Sequence, residues 1–149
     1  MEKSLKAKLP SGKFTNVSAV RSRTMAAIRG KHNKTTELAL RMALVRARLK
    51  GWKLHALELP GKPDIIFWQK KLAVFVHGCF WHGCRYCGHI PKTRRSFWHA
   101  KITRNKRRDE LNLRKLKQIG FRVLCIWEHN LKKGANSNVV IKRITRAIF

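Results

Sequence analysis

Apolar positions along this 149-residue chain come in short blocks, separated by basic and turn-forming residues. Residues 1–17 are polar, basic and glycine-containing, and are expected to form a flexible arm ahead of one domain over 18–149. Ser18 to Ile28 can form a short helix that Gly30 ends. A second helix begins after Thr35 or Thr36, with Glu37 favourably placed in its first turn. Leu38, Met42, Val45 and Leu49 then recur at helical spacing on one face, and Gly51 stops the run. Trp52 to Leu57 reads as a strand, and Leu59-Pro60-Gly61-Lys62-Pro63 as a turn. Asp64 to Trp68 and Leu72 to Val76 are apolar runs joined by Gln69-Lys70-Lys71, a hairpin with buried centres. Gly78 to Lys92 is irregular. Thr93 to Gly120 has helical character, with a break or bend expected near Thr103 to Asn105. Arg122 to Trp127 is a further strand, and Ser137 caps a last helix, Asn138 to Phe149. A helix between the third and fourth strands permits a crossover, so the pattern predicts an α/β domain with a mixed sheet covered by helices.

Charge changes this picture most. The chain carries 35 Lys and Arg against 7 Asp and Glu, a formal charge of +28. Self-repulsion on that scale is best tolerated beside a polyanion. With five Trp and seven Phe available for stacking, nucleic acid is the leading partner. An anionic membrane surface fits less well, because no segment approaches the ~20 apolar residues of a span. The basic start lacks the apolar core of a signal peptide. A cytoplasmic, nucleoid-associated setting is therefore expected.

With only seven acidic residues, carboxylate chemistry has few possible sources. Asp64 opens one strand and Val76-His77 closes its neighbour, so a short turn between them brings these ends side by side. A carboxylate with a backbone carbonyl is an environment that Mg²⁺ prefers. His77 and His82 are the natural proton-transfer groups nearby, and Asp109 could orient a histidine or a water. The plainer alternatives are a turn aspartate and a salt-bridged Asp109. The four cysteines could form two disulfides, but Cys79, Cys84 and Cys87 cluster at the spacing of metal ligands. Tetrahedral zinc needs one ligand more; Cys125, His89 and His129 are candidates, and His129 is favoured because it follows a strand end. Phe80 and Trp81 lie between Cys79 and His82, and at least one of them is expected to be exposed, where it could stack on bases or wedge between them.

Read together, Arg21-Ser22-Arg23-Thr24-Met25-Ala26-Ala27-Ile28, Leu59-Pro60-Gly61-Lys62-Pro63-Asp64, His77-Gly78-Cys79-Phe80-Trp81-His82, Phe97-Trp98, Arg108-Asp109 and Trp127-Glu128 resemble the very-short-patch-repair (Vsr) DNA mismatch endonucleases. The resemblance runs from about Val20 to Leu131. It implies a variant of the restriction-endonuclease core, the PD-(D/E)xK fold, with Phe75 and His77 at the positions of that superfamily's usual acid and lysine. It also implies nicking of one DNA strand beside a thymine mispaired with guanine, the product of 5-methylcytosine deamination. Carried over residue by residue, it makes Asp64 the central Mg²⁺ ligand, aided by the carbonyl of Val76, with a pair of Mg²⁺ ions at the phosphate. His82 activates water with Asp109 as its partner, and His77 and Glu37 support the site. Cys79, Cys84, Cys87 and His129 hold one structural Zn²⁺. Phe80, Trp81, Trp98 and Met25 enter the base stack. A monomer suffices for one nick, and general mismatch-repair proteins are implied as partners.

Two other readings compete. One is a restriction-type or junction-cleaving nuclease on the same core. The other is a zinc-stabilised nucleic-acid-binding protein without catalysis, against which the combination of Asp64, His77, His82 and Asp109 argues.

Overall fold

A computed structural model describes residues 18–20, 36–132 and 137–149. Backbone contacts divide the chain into Met1–Asn33 and Lys34–Phe149, and every element below belongs to the second unit. The expected arm, Met25, the Thr35 cap and all but the first residues of the helix assigned to Ser18–Ile28 lie outside the described residues.

The order is α1 (Glu37–Arg46), β1 (Lys53–Leu54), β2 (Ile65–Phe67), β3 (Leu72–His77), α2 (Arg95–Gln118), β4 (Arg122–Trp127), a 3₁₀ turn at Glu128–Asn130, and α3 (Ser137–Ile148). The four strands lie in that order across one sheet. β1 and β2 are antiparallel, as are β2 and β3, whereas β3 and β4 run parallel in the register Val76↔Ile126 and His77↔Trp127. The hairpin forms because Lys70 and Lys71 donate to the carbonyls of Phe67 and Trp68 in a tight turn. The parallel pair needs a crossover, which α2 supplies.

Alternation along β2 and β3 divides the core in two. Ile65, Phe67, Leu72 and Val74 point to one face, where Leu40 and Leu44 of α1 and Val140, Ile144 and Ile148 of α3 cover them. Ile66 and Ala73 point to the other, against Leu116 of α2, Phe121, Ala56 and Leu59. The result is a mixed α/β fold with helices on both faces of the sheet, which is the expected class.

Three expectations need correction. The strand assigned to Trp52–Leu57 pairs only at Lys53–Leu54, because the backbone turns at His55 into a left-handed conformation (φ 50°). The break expected near Thr103–Asn105 is absent, and α2 is one uninterrupted helix of 24 residues. β-branched Thr103 and Asn105 are weak helix formers, and the packing of Ile102 and Leu116 against the fold outweighs them. In α1 the buried face is Glu37, Leu40, Ala43 and Leu44, while Leu38, Met42 and Val45 are 38%, 43% and 56% exposed. The helix is thus rotated to turn its one carboxylate inward.

Candidate active site

The end of the hairpin sets the first part of the site. Ile65 pairs with Val74, so β2 stops short of the last residues of β3. Val76 has no strand partner on that side, and its N–H donates instead to Asp64 Oδ2 at 2.7 Å. Burial raises the Asp64 carboxyl above the usual carboxylate range; the Val76 N–H opposes this, Glu37 adds to it, and His55 and His82 lower it. Asp64 is therefore a partly desolvated carboxylate with two imidazoles in electrostatic reach.

His77, the next residue of β3, stacks flat on His82, with ring centroids 4.1 Å apart and planes 2° from parallel. Burial and the neighbouring His82 lower the His77 pKa to about 4, although Asp109 works against the shift, so His77 is neutral at physiological pH. Asp109 reaches across from α2, and its Oδ2 lies 2.5 Å from His82 Nδ1. The nearest ligand atoms of His77, His82 and Asp109 lie within 4.8 Å of one another. The strand ends and one helix thus bring Asp64, Val76, His77, His82 and Asp109 into one place.

Glu37 arrives from the opposite side. Its side chain is buried at the start of α1, with Oε1 3.1 Å from His55 Nε2. His55 is a site residue that sequence reading missed. Its one signal was that a lone acid in so basic a helix must be turned toward something.

Past His77 the chain folds into successive tight turns. His82 N–H donates to Gly78 O, Cys84 N–H to Cys79 O and Gly88 N–H to Cys84 O. Glycine is required twice here. A Cβ on Gly88 would meet Cys84 O at 2.5 Å, and Gly83 has φ +61° with Ile102 2.9 Å from where its Cβ would lie. This winding brings Cys79, Cys84 and Cys87 around His129, whose Nδ1 is 3.3, 3.6 and 3.4 Å from their sulfurs; the Cys84 and Cys87 sulfurs are 3.6 Å apart. A tetrahedron with metal–sulfur bonds of ~2.3 Å and a metal–nitrogen bond of ~2.0 Å has edges of about 3.5 to 3.8 Å. The donor set fits zinc in size, and soft thiolates with an imidazole select it over Mg²⁺. All four cysteines are free. Among the candidates for the fourth place, His129 joins the cluster and Cys125 and His89 do not. Burial opposes ionisation of Cys84, yet hydrogen bonds from the Cys87 and Tyr86 backbone and from the other thiols bring its pKa down to about 6.

Two side chains tie this loop to the fold. Glu128 Oε2 accepts from Cys79 N–H at 3.1 Å, and Asn105 Nδ2 donates to Trp81 O at 3.0 Å. Sequence reading gave neither residue a role. Phe80 and Trp81 are both half-buried, which corrects the expectation that one would be exposed. They pack edge to face with each other at 5.0 Å, and with Trp98 at 5.3 and 6.1 Å. Mutual packing of large rings covers each in part. Lys101 Nζ lies 5.3 to 5.8 Å from the rings of Trp81, Phe97 and Trp98.

No helix among the described residues is long and apolar enough to cross a membrane. A family model described as DNA mismatch endonuclease Vsr matches residues 13–88. The type II nicking enzyme V.NmeAIP of Neisseria meningitidis is 47% identical over 90 residues, 59% of this chain and 64% of that one. V.NaeI, a type II nicking enzyme of Lentzea aerocolonigenes, is 41% identical over 128 residues, covering 83% and 76%. The DNA mismatch endonuclease Vsr of Escherichia coli is 35% identical over 116 residues, covering 76% and 72%.

Proposed function

Because this chain belongs to the Vsr family of DNA mismatch endonucleases, and is thereby a DNA endonuclease, we propose that it nicks one strand of a duplex beside a thymine mispaired with guanine, using Mg²⁺. The observation that carries this reading is the juxtaposition of the Asp64 carboxylate with the His77–His82 stack and Asp109. A binding protein has no use for that arrangement.

Each group has a role that its surroundings support. Asp64 and the carbonyl of Val76 would hold Mg²⁺. In an extended strand the N–H and C=O of one residue project to the same edge, so that carbonyl lies on the side where the Val76 N–H meets Asp64. Held by these two groups, such an ion would supply positive charge at the scissile phosphate and would lower the pKa of water. Asp109 at Nδ1 fixes the His82 tautomer and leaves Nε2 free to take a proton from the attacking water. The imidazolium so formed would rest between the Asp109 carboxylate and the His77 ring, which is kept neutral and adds no positive charge of its own.

The four-donor cluster would hold Zn²⁺ as a structural brace for the loop carrying Phe80 and Trp81. With Trp98, and with Met25 from outside the described residues, these side chains would enter the base stack. A mispair stacks poorly, so wedging there costs less than at a matched step, and the difference selects the site. One nick requires one active site, which a monomer provides. General mismatch-repair proteins would act on the nicked product.

The test is a strand-nicking assay on matched and T:G duplexes with varied flanks, at fixed moderate salt, because a chain of charge +28 binds any DNA at low ionic strength. The expected result is one nick on the mispaired duplex that EDTA stops and Asp64→Ala abolishes while DNA binding survives. Turnover by Asp64→Ala would refute the assignment. Equal cutting of matched duplexes would favour a general nicking enzyme instead.

A further inference from the structure

Glu37 and His55 stand apart from the groups that handle the phosphate, and three features of their placement belong together. The first is the rotation of α1. It leaves Leu38, Met42 and Val45 in solvent and puts Glu37 in the interior at 4% exposure. Burying a carboxylate in preference to three apolar side chains is costly unless it is paired, so its position needs a cause. The second is the backbone of His55. It has φ +50°, a left-handed conformation that is disfavoured for a residue with a Cβ. Its N–H still donates to the Asp64 carbonyl at 3.2 Å, so His55 is pinned directly across from the residue on which the site depends. The third is the outcome of that bend, which leaves His55 Nε2 3.1 Å from Glu37 Oε1. Both side chains are also within electrostatic reach of Asp64.

We propose that His55 is a positioning residue of the nicking site, and that its left-handed backbone aims the imidazole at Glu37 and so holds that carboxylate toward Asp64. Two carboxylates brought together repel, and the His55 ring 3.1 Å from Glu37 Oε1 holds that side chain against the repulsion. Held by His55, it remains available to the water around a divalent ion on Asp64. This inference rests on the reading of Asp64 given above.

The test compares His55→Gln, His55→Leu and His55→Gly on whichever duplex the unmodified protein nicks, measuring kcat, KM for DNA and the Mg²⁺ concentration for half-maximal rate. Gln places an amide N–H near the position of Nε2, whereas Leu keeps bulk and removes the donor. Gly relaxes the backbone and removes the side chain. The expected result is that Leu and Gly lose at least tenfold in kcat with KM for DNA within twofold, and need several-fold more Mg²⁺, while Gln recovers most of both. A merely structural role would not move the Mg²⁺ requirement or distinguish Gln from Leu. If His55→Gly fails to fold, the Gln–Leu pair decides the question. Gln and Leu equal in kcat and in Mg²⁺ requirement, or Gly matching the unmodified protein, would overturn the proposal. Asp64→Ala is assayed alongside. Activity in that variant sinks the site reading itself, whereas an inactive Asp64→Ala beside a fully active His55→Leu sinks the role of His55 alone.

Discussion

The strand ends and the cysteine loop adjoin in sequence but are held by different means. At the strand ends, Asp64, Val76 and His77 are placed by a sheet whose central residues Ile65, Val74 and Ile126 are fully buried, and by a ladder that runs through His77↔Trp127. The loop from Gly78 to Lys92 contains only turns and bends. Its shape depends on local hydrogen bonds, two glycines, two side-chain ties and a set of four donor atoms suited to zinc. The Asp64 carboxylate is thus positioned by the sheet itself, whereas the loop has only its own turns, its side-chain ties and the four-donor cluster to hold it. His82 belongs to both regions, since it sits in the loop and faces the strand-end site.

The largest effect should come from the strand-end side, without loss of fold. Asp64→Asn keeps an acceptor for the Val76 N–H and removes a charge that burial disfavours. Because the folded pKa is raised, the ionised carboxylate weakens the folded state near neutral pH. Nicking should therefore fall by more than about 10³-fold while the thermal midpoint holds or rises. A lowered midpoint would show that the carboxylate is structural.

Next in size is the loop. If the four donors hold zinc as proposed, stripping it and assaying after Mg²⁺ is restored should cut nicking at least about 10- to 100-fold, the scale on which even outer partners of metal sites act. The far-UV circular dichroism of sheet and helices should persist. Cys84→Ser should cost more than Cys87→Ser, because Cys84 is buried among backbone donors and Cys87 is exposed. Global unfolding on chelation would erase the distinction between the two regions.

The sequence made the strand-end geometry legible because hairpin register is a local property. An aspartate before β2 and a valine near the end of β3 must meet once Gln69-Lys70-Lys71 forms the turn, and they do. Strand Arg122–Trp127 was legible as an apolar run, and the mixed sheet from the helix that separates it from the preceding strand. The face of α1 was not. Leu38, Met42 and Val45 form as good a stripe as Leu40 and Leu44, and only the tertiary packing of Leu40, Leu44 and Glu37 chooses between them. The bend at His55 was hidden too, since Trp52 to Leu57 alternates as a strand would. The candidate metal cluster was legible in its cysteines by spacing, whereas His129 could be ranked but not chosen until β4 placed it beside the loop. The ties made by Asn105 and Glu128 were not legible, because a side chain bound to a distant backbone group leaves no periodic trace.

A moderate effect is expected where the two regions touch. The His77 pKa is lowered from 6.5 to about 4. Below pH 6.5 the unfolded chain takes up this proton before the folded one does, so the contribution is full above that pH and is lost as pH falls toward about 4. Urea midpoints measured over that range should fall, and His77→Leu should flatten the slope. An unchanged slope would mean that the stacked ring is not kept neutral by the fold.

The smallest effect tests how much of the loop's rigidity comes from outside its ligand set. Asn105 donates to Trp81 O from α2, and a single neutral hydrogen bond contributes about 0.5–1.5 kcal/mol. If the four donors hold the loop when metal is bound, Asn105→Ala should change nicking of the mispaired duplex by only a few-fold. In zinc-stripped protein the same substitution has nothing to back it up, and its effect should grow. The relevant quantity is the coupling between the two changes, obtained by measuring the parent and the variant with and without zinc. Coupling near zero would mean that the tie and the metal act independently. A large loss in the zinc-loaded variant would mean that the aromatic wedge is anchored on α2 and that zinc only closes the turn behind it.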